Sequence, residues 1–577
     1  MRNAKIVCTL GPASDDEVTI RALAAAGMSV ARINTSHGSP EDHAAVARQV
    51  RTVDEAIEEP LATMIDLQGL EVRTAAIDKP IDLPDGASVR LYEGEGATVE
   101  AVGLSHGLDG VSVGDRVLID DGRVETTVTA VDPDGVHVRV EDGGEVGSRK
   151  GVNVPGVDLG LDVVTERDRR AIETAAEVGA DFVAASFVRD ADDVYRVGEA
   201  IEDAGGDVPV IAKVERAGAV ENLDGIVEAA YGIMVARGDL GVECPLEDVP
   251  VIQKDLIRRC HRAGVPVVTA TEMLDSMVHE RRPTRAEASD VANAVLDGTD
   301  AVMLSGETAV GDHPVRVVEA MDRIVRRVED SDEYRERREE RVPEAGEARA
   351  EALARSARYL ARDVDASAVV AVTESGYTAL KTAKFRPGVE TVAATPVDDV
   401  RRRLAISWGI RSRRTDLGDD AAAVVENAVD AALSAGAATG GDAVVVLAGM
   451  LDEGPDVANT LKVHVATETL ARGRGAVAGR ATGAVFEAAD GDLTDAPDDA
   501  IVALPGSFAG EFVGDTSRIA GIVAEEPGLT GYAAIVAREL KVPMISGVAI
   551  DAADGTTVTV DGDRGVVYEG TVDPLGN

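Results

Sequence analysis

From Ala4 to Gly69 short apolar runs alternate with longer stretches in which apolar residues recur every three or four positions. The runs KIVCTL, VARIN and LATMIDL read as buried strands, and the stretches between them as amphipathic helices. That alternation is the rhythm of parallel β/α units. From about Glu71 to Pro155 the rhythm changes. GVSVGDRVLIDDGRVETTVTAVDPDGVHVRVEDGG alternates valine with polar residues and breaks at DG and DDG, which predicts antiparallel hairpins. The β/α rhythm returns near Asp158. There ERDRRAIETAAEVG predicts a helix, and FVAASFV, VIAKVE, GIMVARG, PVVTATEM and AVMLSG predict strands that are each followed by a helix. Three strands before the interruption and five after it make eight, which predicts a TIM barrel with its site at the C-terminal ends of the strands.

The predicted fold class is therefore α/β. A TIM (β/α)8 barrel takes residues 1–70 and 156–335, and a small β-barrel lid is inserted over 71–155. Residues 329–347, EDSDEYRERREERVPEAGE, read as a charged linker or helix end. A C-terminal α/β domain follows over 345–470, with strands AVVAVT, ETVAAT, SRRTDL and AVVVLAG. The last segment, 475–577, is rich in Gly, Ala and Asp and mostly β. Within it GLTGYAAIVARELKVPMISG (528–547) reads as strand, turn, helix and strand.

Charge adds a constraint that the pattern does not. Of the 577 residues, 104 are acidic and 58 basic, for a net charge of -46, and the acids are spread along the whole chain. Such a composition predicts a halophilic protein from a salt-rich cytoplasm, where ions screen the repulsion within a few ångströms. It argues against nucleic acid or an anionic membrane as a partner. Cys8, Cys244 and Cys260 show no CxxC spacing, so free thiols in a reducing cytosol are expected. The start, MRNAKIVCTLGPAS, has no signal-peptide pattern, and no apolar run approaches the ~20 residues of a membrane helix. A cytoplasmic protein is the expectation.

Polar residues gather where the predicted barrel strands end. The second strand ends in Arg32, Asn34, Ser36 and His37, the third in Asp66, and the fifth carries Lys213 and Glu215. The sixth ends in Arg237, Gly238 and Asp239, the seventh carries Thr269, Thr271 and Glu272, and the eighth ends in Ser305, Gly306 and Glu307. One charged residue at a strand end is usually solvated rim. Their recurrence at the same end of six strands points to a site. Glu215 and Asp239 can hold a hard divalent cation such as magnesium. Arg32, Arg73, Lys150 and Lys213 would face phosphate oxygens, and the turn in VARGDLG offers backbone N–H groups to an anion. Asn34, Ser36, Asp66 and a backbone carbonyl would suit a monovalent cation. Metal and cations around a multiply charged anion is the pattern of phosphoryl transfer. No GxxxxGK[ST] motif is present, so a nucleotide would be bound some other way.

The blocks AKIVCTLGPAS, GMSVARINTSHG, SRKGVNVPG, VARGDLGVE and RRPTRAEASDVANAVLDGTDAVMLSGETAVGDHP resemble the pyruvate kinase family, in order, over about residues 4 to 468. The resemblance implies the reaction of phosphoenolpyruvate with ADP to give pyruvate and ATP, an enolate intermediate, a divalent ion (Mg2+ or Mn2+), often K+, and a homotetramer. It implies that Glu215 and Asp239 hold magnesium and that Lys213 stabilises the phosphoryl group in transit and the enolate. Arg32, Lys213, the backbone of Arg237, Gly238 and Asp239, and Thr271 would bind substrate. Thr271 also lies where the family delivers a proton to the enolate. Asn34, His37, Arg73 and Lys150 match nucleotide- and phosphate-contacting positions, with Arg73 and Lys150 at the hinges of the lid. Asn34, Ser36, Asp66 and the carbonyl of Leu67 match the potassium site. There the chain reads DLQGLEVRTA where the potassium-dependent form reads DTKGPEIRTG, and Leu67 and Gln68 resemble the potassium-independent subgroup. Glu71, which the potassium-independent subgroup typically replaces by Lys, favours potassium use.

The third domain carries TESGYTALKTAKFRP (373–387), similar to the family's effector loop. Thr373, Ser375, Gly376 and Thr378 would form a phosphate-binding nest, while Glu374 would repel a second phosphate. The final stretch resembles the phosphohistidine signature of phosphoenolpyruvate-utilising mobile domains, except that Tyr532 stands where the His belongs. A neutral Tyr, with a pKa near ~10, is a poor nucleophile, so this unit is expected to be catalytically dead.

Overall fold

The computed structural model describes residues 2–120, 122–271, 273–418, 420–449, 458–466, 469–508 and 510–572. The chain divides into two compact units. The first comprises 1–345 with 383–386 and 397–412, the second 346–382, 387–396 and 413–577.

In the first unit eight parallel strands close a barrel in the order Lys5–Leu10, Ala301–Leu304, Val267–Ala270, Gly232–Ala236, Val210–Val214, Phe182–Ala185, Ala62–Asp66 and Val30–Asn34. The register sets Asn34 beside Asp66 and Lys213 beside Met234. Local chemistry fixes where the helices start and stop. Thr165 and Asp168 form a reciprocal capping box at Glu166–Val178, and Gly179 ends that helix with a left-handed φ of 61°. Thr284 and Glu287 cap Arg285–Asp297 in the same way. The barrel interior is packed by Val7, Val30, Met64, Phe182, Ile211 and Met234 among others, and Ala405 and Ile406 belong to the same core. The segment bearing those two residues is bound by charge. Arg402 Nε donates to Asp181 Oδ1 at 2.9 Å, and Arg401 Nη2 lies 3.0 Å from both oxygens of Asp54.

The inserted segment folds as a seven-stranded sheet in the order Val72–Arg73, Gly151–Asn153, Arg116–Ile119, Val124–Asp132, Gly135–Asp142, Ser88–Glu93 and Ala101–Leu104. Its hairpins are antiparallel as the valine alternation implies, but Ser88–Glu93 and Ala101–Leu104 pair parallel. The charged stretch read as a linker or helix end contains a helix of its own, Asp332–Glu340, started by the Ser331 side chain and anchored by buried Tyr334. One buried aromatic per two turns is too weak a pattern to show through so many charges.

The second unit holds two sheets. One contains Glu390–Thr395, Ala368–Val372 and Ala443–Ala448 as parallel neighbours, with Thr460–Val465 added antiparallel to the last. The strand read as SRRTDL spans Ile410–Arg414 instead, two residues earlier. The other sheet has eight strands, from Thr469–Arg472 to Val566–Glu569, and carries the helix Tyr532–Leu540. No helix among the described residues is long and apolar enough to cross a membrane.

Candidate active site

The barrel register gathers the charges of strands two, three and five at one mouth. Asp66, fully buried, ends the third strand. Its Oδ2 accepts from Arg32 Nε at 2.5 Å, and its Oδ1 lies 3.3 Å from Lys213 Nζ without a well-aligned hydrogen bond. Arg32 also donates to Thr9 Oγ1 at 2.8 Å. Lys213 Nζ is 2.8 Å from Glu215 Oε1 and donates to Ser186 Oγ at 2.8 Å. Glu215 Oε2 accepts from the backbone N–H of Phe187 at 2.7 Å. Burial alone would raise the Asp66 carboxyl, but Arg32 and then Lys213 outweigh it and hold it below the ordinary carboxylate value. Burial likewise opposes the Lys213 charge, yet Asp66 and Glu215 push its pKa above the ordinary lysine value. The group is an ammonium at any physiological pH.

The sixth and seventh strands meet through a different set of bonds. The short helix Arg237–Glu243 follows the sixth strand directly. The Arg237 guanidinium donates to the carbonyls of Ala270 and Thr271 at 3.1 and 2.8 Å, and to Asp290 Oδ1 at 2.7 Å. It therefore ties the end of the seventh strand and does not reach into the mouth. Thr271 sits at φ 69°, a left-handed conformation that costs a branched residue about 1–2 kcal/mol. Its hydroxyl donates to the Ala270 carbonyl and accepts from Gly238 N–H, both at 2.8 Å. The Gly238 N–H is thus engaged by Thr271 before any ligand arrives. Asp239 is partly buried on the same helix. Glu272 lies outside the described residues.

At the lid, Gly151 pairs with Arg73 across the two hinge strands, which brings Lys150 and Arg73 together. Arg73 Nη2 lies 2.5 Å from Glu71 Oε2, and Lys150 Nζ 2.9 Å from Asp120 Oδ1. A Cβ at Gly151 would come within 2.2 Å of Glu71 Oε1, so glycine is what lets that carboxylate lie against the hinge. The negative charge of Glu71 is matched by Arg73.

Around the second strand, Asn34 Oδ1 accepts from Ser36 N–H at 3.1 Å. His37 is exposed, and its carbonyl is 2.6 Å from His43 Nε2. The Leu67 carbonyl accepts from Ser186 Oγ at 2.7 Å. Among the described residues no group of three or more His, Cys, Asp or Glu is arranged to hold a metal; the carboxylates near Lys213 are Glu215 and Asp66. Two strand-end residues turn away from the cluster. Thr269 is buried against Thr299, and Glu307, its carboxyl raised by burial, accepts from the N–H groups of Leu274 and Ser305. Both hold the barrel wall.

Sequence reasoning did not single out Ser186, Thr9, Asp120 or Asp290, the partners of Lys213, Arg32, Lys150 and Arg237. Ser186 carries a weak signal, a hydroxyl that ends the otherwise apolar run FVAAS.

In the second unit, Gly376 N–H donates to Thr373 Oγ1 at 2.9 Å and Tyr377 N–H to Ser375 Oγ at 3.3 Å, with Gly376 at φ 89°. Thr378 is buried, and its hydroxyl makes no hydrogen bond among the described residues. Tyr532 is the first residue of its helix and is half exposed. Its hydroxyl accepts from Phe512 N–H at 3.3 Å and its ring leans on Phe512 at 5.8 Å.

Three family models match the chain. Residues 1–318 match the barrel domain of pyruvate kinase, 351–464 its alpha/beta domain, and 497–565 the mobile domain of PEP-utilising enzymes. A pyruvate kinase of Geobacillus stearothermophilus is 41% identical over 580 residues, covering 99% of both chains. One from Bacillus licheniformis is 38% identical over 586 residues, covering both chains completely. The crystal structure of a pyruvate kinase from Cryptosporidium parvum superimposes with a TM-score of 0.76 at 35% identity, over 81% of this chain and 96% of that one. These relatives support the family and its domain order; they give no support to the expected halophilic character. The chain belongs to the pyruvate kinase family and is a phosphotransferase of glycolysis.

Proposed function

We propose that the mouth of the barrel is where this chain binds phosphoenolpyruvate and ADP, and that Lys213 is the centre of the chemistry. The observation that carries the reading is the Lys213 ammonium, buried and held charged between Asp66, Glu215 and Ser186. A preorganised charge in a dry site stabilises the negative charge that develops on the phosphoryl group and on the enolate. Arg32, fixed by Asp66 and Thr9, offers a second cation to the phosphoryl oxygens. The backbone of Arg237, Gly238 and Asp239 receives the substrate carboxylate once Gly238 N–H leaves the Thr271 hydroxyl. The freed hydroxyl then lies where a proton reaches the enolate carbon, through water.

Two metal sites belong to the proposal. Glu215 and Asp239 fit magnesium or manganese, since such an ion commonly takes one or two carboxylates and leaves its other places to substrate and water. When bound, a divalent cation neutralises charge on the carboxylate and phosphoryl oxygens. Asn34, Ser36, Asp66 and the Leu67 carbonyl fit potassium. All are hard oxygens, and Asp66 Oδ1 is buried without a hydrogen bond among the described residues. Asn34, His37, Arg73 and Lys150 serve the nucleotide. The two lid cations exchange Glu71 and Asp120 for phosphate oxygens as the lid closes and excludes water.

The domains divide as 1–70 with 156–335, 71–155, 345–470 and 475–577. The enzyme is a cytoplasmic homotetramer, and the net charge of -46 supports a salt-rich cytoplasm. Thr373, Ser375, Gly376 and Thr378 hold one phosphate of an effector, which the unpartnered Thr378 hydroxyl supports. The C-terminal unit has lost its phosphocarrier role, because the Tyr532 hydroxyl is a phenol packed on Phe512. A coupled assay of pyruvate formation across a range of potassium chloride tests the whole. Turnover with ADP, rising with salt, is expected. No turnover at any salt, with folding confirmed, overturns it.

A further inference from the structure

Ser186 is a buried hydroxyl to which the reading above gives no task beyond its contact with Lys213, and its two bonds join two parts of the site. It accepts from Lys213 Nζ at 2.8 Å and donates to the Leu67 carbonyl at 2.7 Å. A hydroxyl has one proton to give, so donation to Leu67 turns its lone pairs toward Lys213. An ammonium has three N–H groups: one goes to Ser186, one faces Glu215 Oε1 at 2.8 Å, and the third side faces Asp66 Oδ1 at 3.3 Å without a well-aligned bond. In this state Ser186 holds an N–H of Lys213 that a phosphoryl oxygen could otherwise receive. Two of the three partners are carboxylates; Ser186 is the neutral one and the easiest to give up.

The contact between the two segments is built, not incidental. Leu67 N–H bonds the Ala184 carbonyl at 2.9 Å, so the loop runs on in register with the neighbouring strand. Gly69 has φ 66°, and a Cβ there would sit 2.7 Å from the Ser186 Cβ and 2.8 Å from the Phe187 ring. Only glycine lets the loop close on Ser186. Asp168 Oδ1 then accepts from Gly69 N–H at 3.1 Å.

We propose that Ser186 is a positioning residue through which a monovalent cation on the Leu67 carbonyl acts on Lys213. The inference rests on the potassium site proposed above. A cation held by the Leu67 oxygen would compete with the Ser186 hydroxyl for that oxygen. The hydroxyl would then be free to rotate its lone pair away from Lys213, making one ammonium N–H available to the phosphoryl group. Potassium would therefore activate by releasing the lysine as well as by adding charge.

Ser186→Ala severs this path and leaves every proposed cation ligand in place. Two quantities decide, both at constant ionic strength with a large organic cation as the replacement ion: the ratio of kcat with and without potassium, and the rise in thermal midpoint caused by potassium. In Ser186→Ala the kcat ratio is expected to collapse toward one, while the potassium-induced rise in midpoint persists because the cation still binds. A purely structural role would lower the midpoint in both salts and leave the kcat ratio intact, which overturns the proposal. Potassium activation that is absent from the unaltered chain overturns the potassium site itself, and the proposal with it. Activation that survives Ser186→Ala undiminished overturns the proposal alone.

Discussion

Replacing Lys213 by methionine keeps the length of the side chain and removes its charge. The ammonium lies 2.8 Å from Glu215 and 3.3 Å from Asp66, with side-chain exposures of 12%, 2% and 1%. At an effective dielectric constant near 20 these contacts are worth about 6 and about 5 kcal/mol before desolvation. Burying the ammonium offsets several kcal/mol of that, so losing it should cost about 3–5 kcal/mol net. Asp66 keeps Arg32, and the deficit falls mainly on Glu215, left with one backbone donor. The thermal midpoint is expected to fall by on the order of 5 °C at pH 7. Turnover should drop further than stability explains, by about 10²–10³-fold if the ammonium stabilises the transition state as one oxyanion donor does. Acid supplies an internal check. The Asp66 carboxyl is depressed in the folded state, so its contribution is present above its unfolded value of about 3.9 and is lost as pH falls through the folded value. Removing Lys213 weakens that depression, so the gap in midpoint between the two proteins narrows from pH 7 toward pH 3. Calorimetry across pH with a coupled pyruvate assay reads both effects. A folded Lys213→Met protein with undiminished kcat would refute the site, and a gap that widens on acidification would refute the charge argument.

Thr271→Gly relieves the strained φ but removes the hydroxyl. Its stability should stay within about 1 kcal/mol of the parent's while kcat falls, and Thr271→Ser should recover most of the turnover. Tyr532→Phe should leave kcat unchanged in the coupled assay; a clear loss would mean that the C-terminal unit takes part in the chemistry. Burial pushes the Cys8 and Cys260 thiols well above the usual range, whereas Cys244 is half-buried. Native protein should therefore expose one thiol to a maleimide at neutral pH and three in denaturant. Trp408, 1% exposed and bonded to Tyr334 Oη, should emit in the blue and shift red only when the barrel unit unfolds.

The barrel was legible because each of its strands is an apolar run bounded by a helix of clear period. The charged residues that end those runs could be placed at one mouth on pattern alone. What the pattern could not reach was the pairing. Asp120 is remote in sequence from Lys150 in the same way that Asp290 is from Arg237, and only the folded lid and helices bring them together. Nor does a period reveal that Thr269 and Glu307 face the wall while their neighbours face the mouth. Asp332–Glu340 could not be told from a linker because its charges pair with one another along the helix, as Arg337 does with Glu333, so little of it needs burial.

The segment carrying Ala405 and Ile406 has a consequence for how the protein is made. The last barrel strand is complete at Leu304, but the core that includes Ala405 and Ile406 cannot be finished until residue 406 has been synthesised. At 5–20 residues per second the ribosome needs on the order of ten seconds to cover that interval. Until then Asp54 and Asp181 lack Arg401 and Arg402. The nascent barrel lacks part of its core until a piece of chain encoded far downstream arrives. A fragment that stops at residue 345 would wait indefinitely.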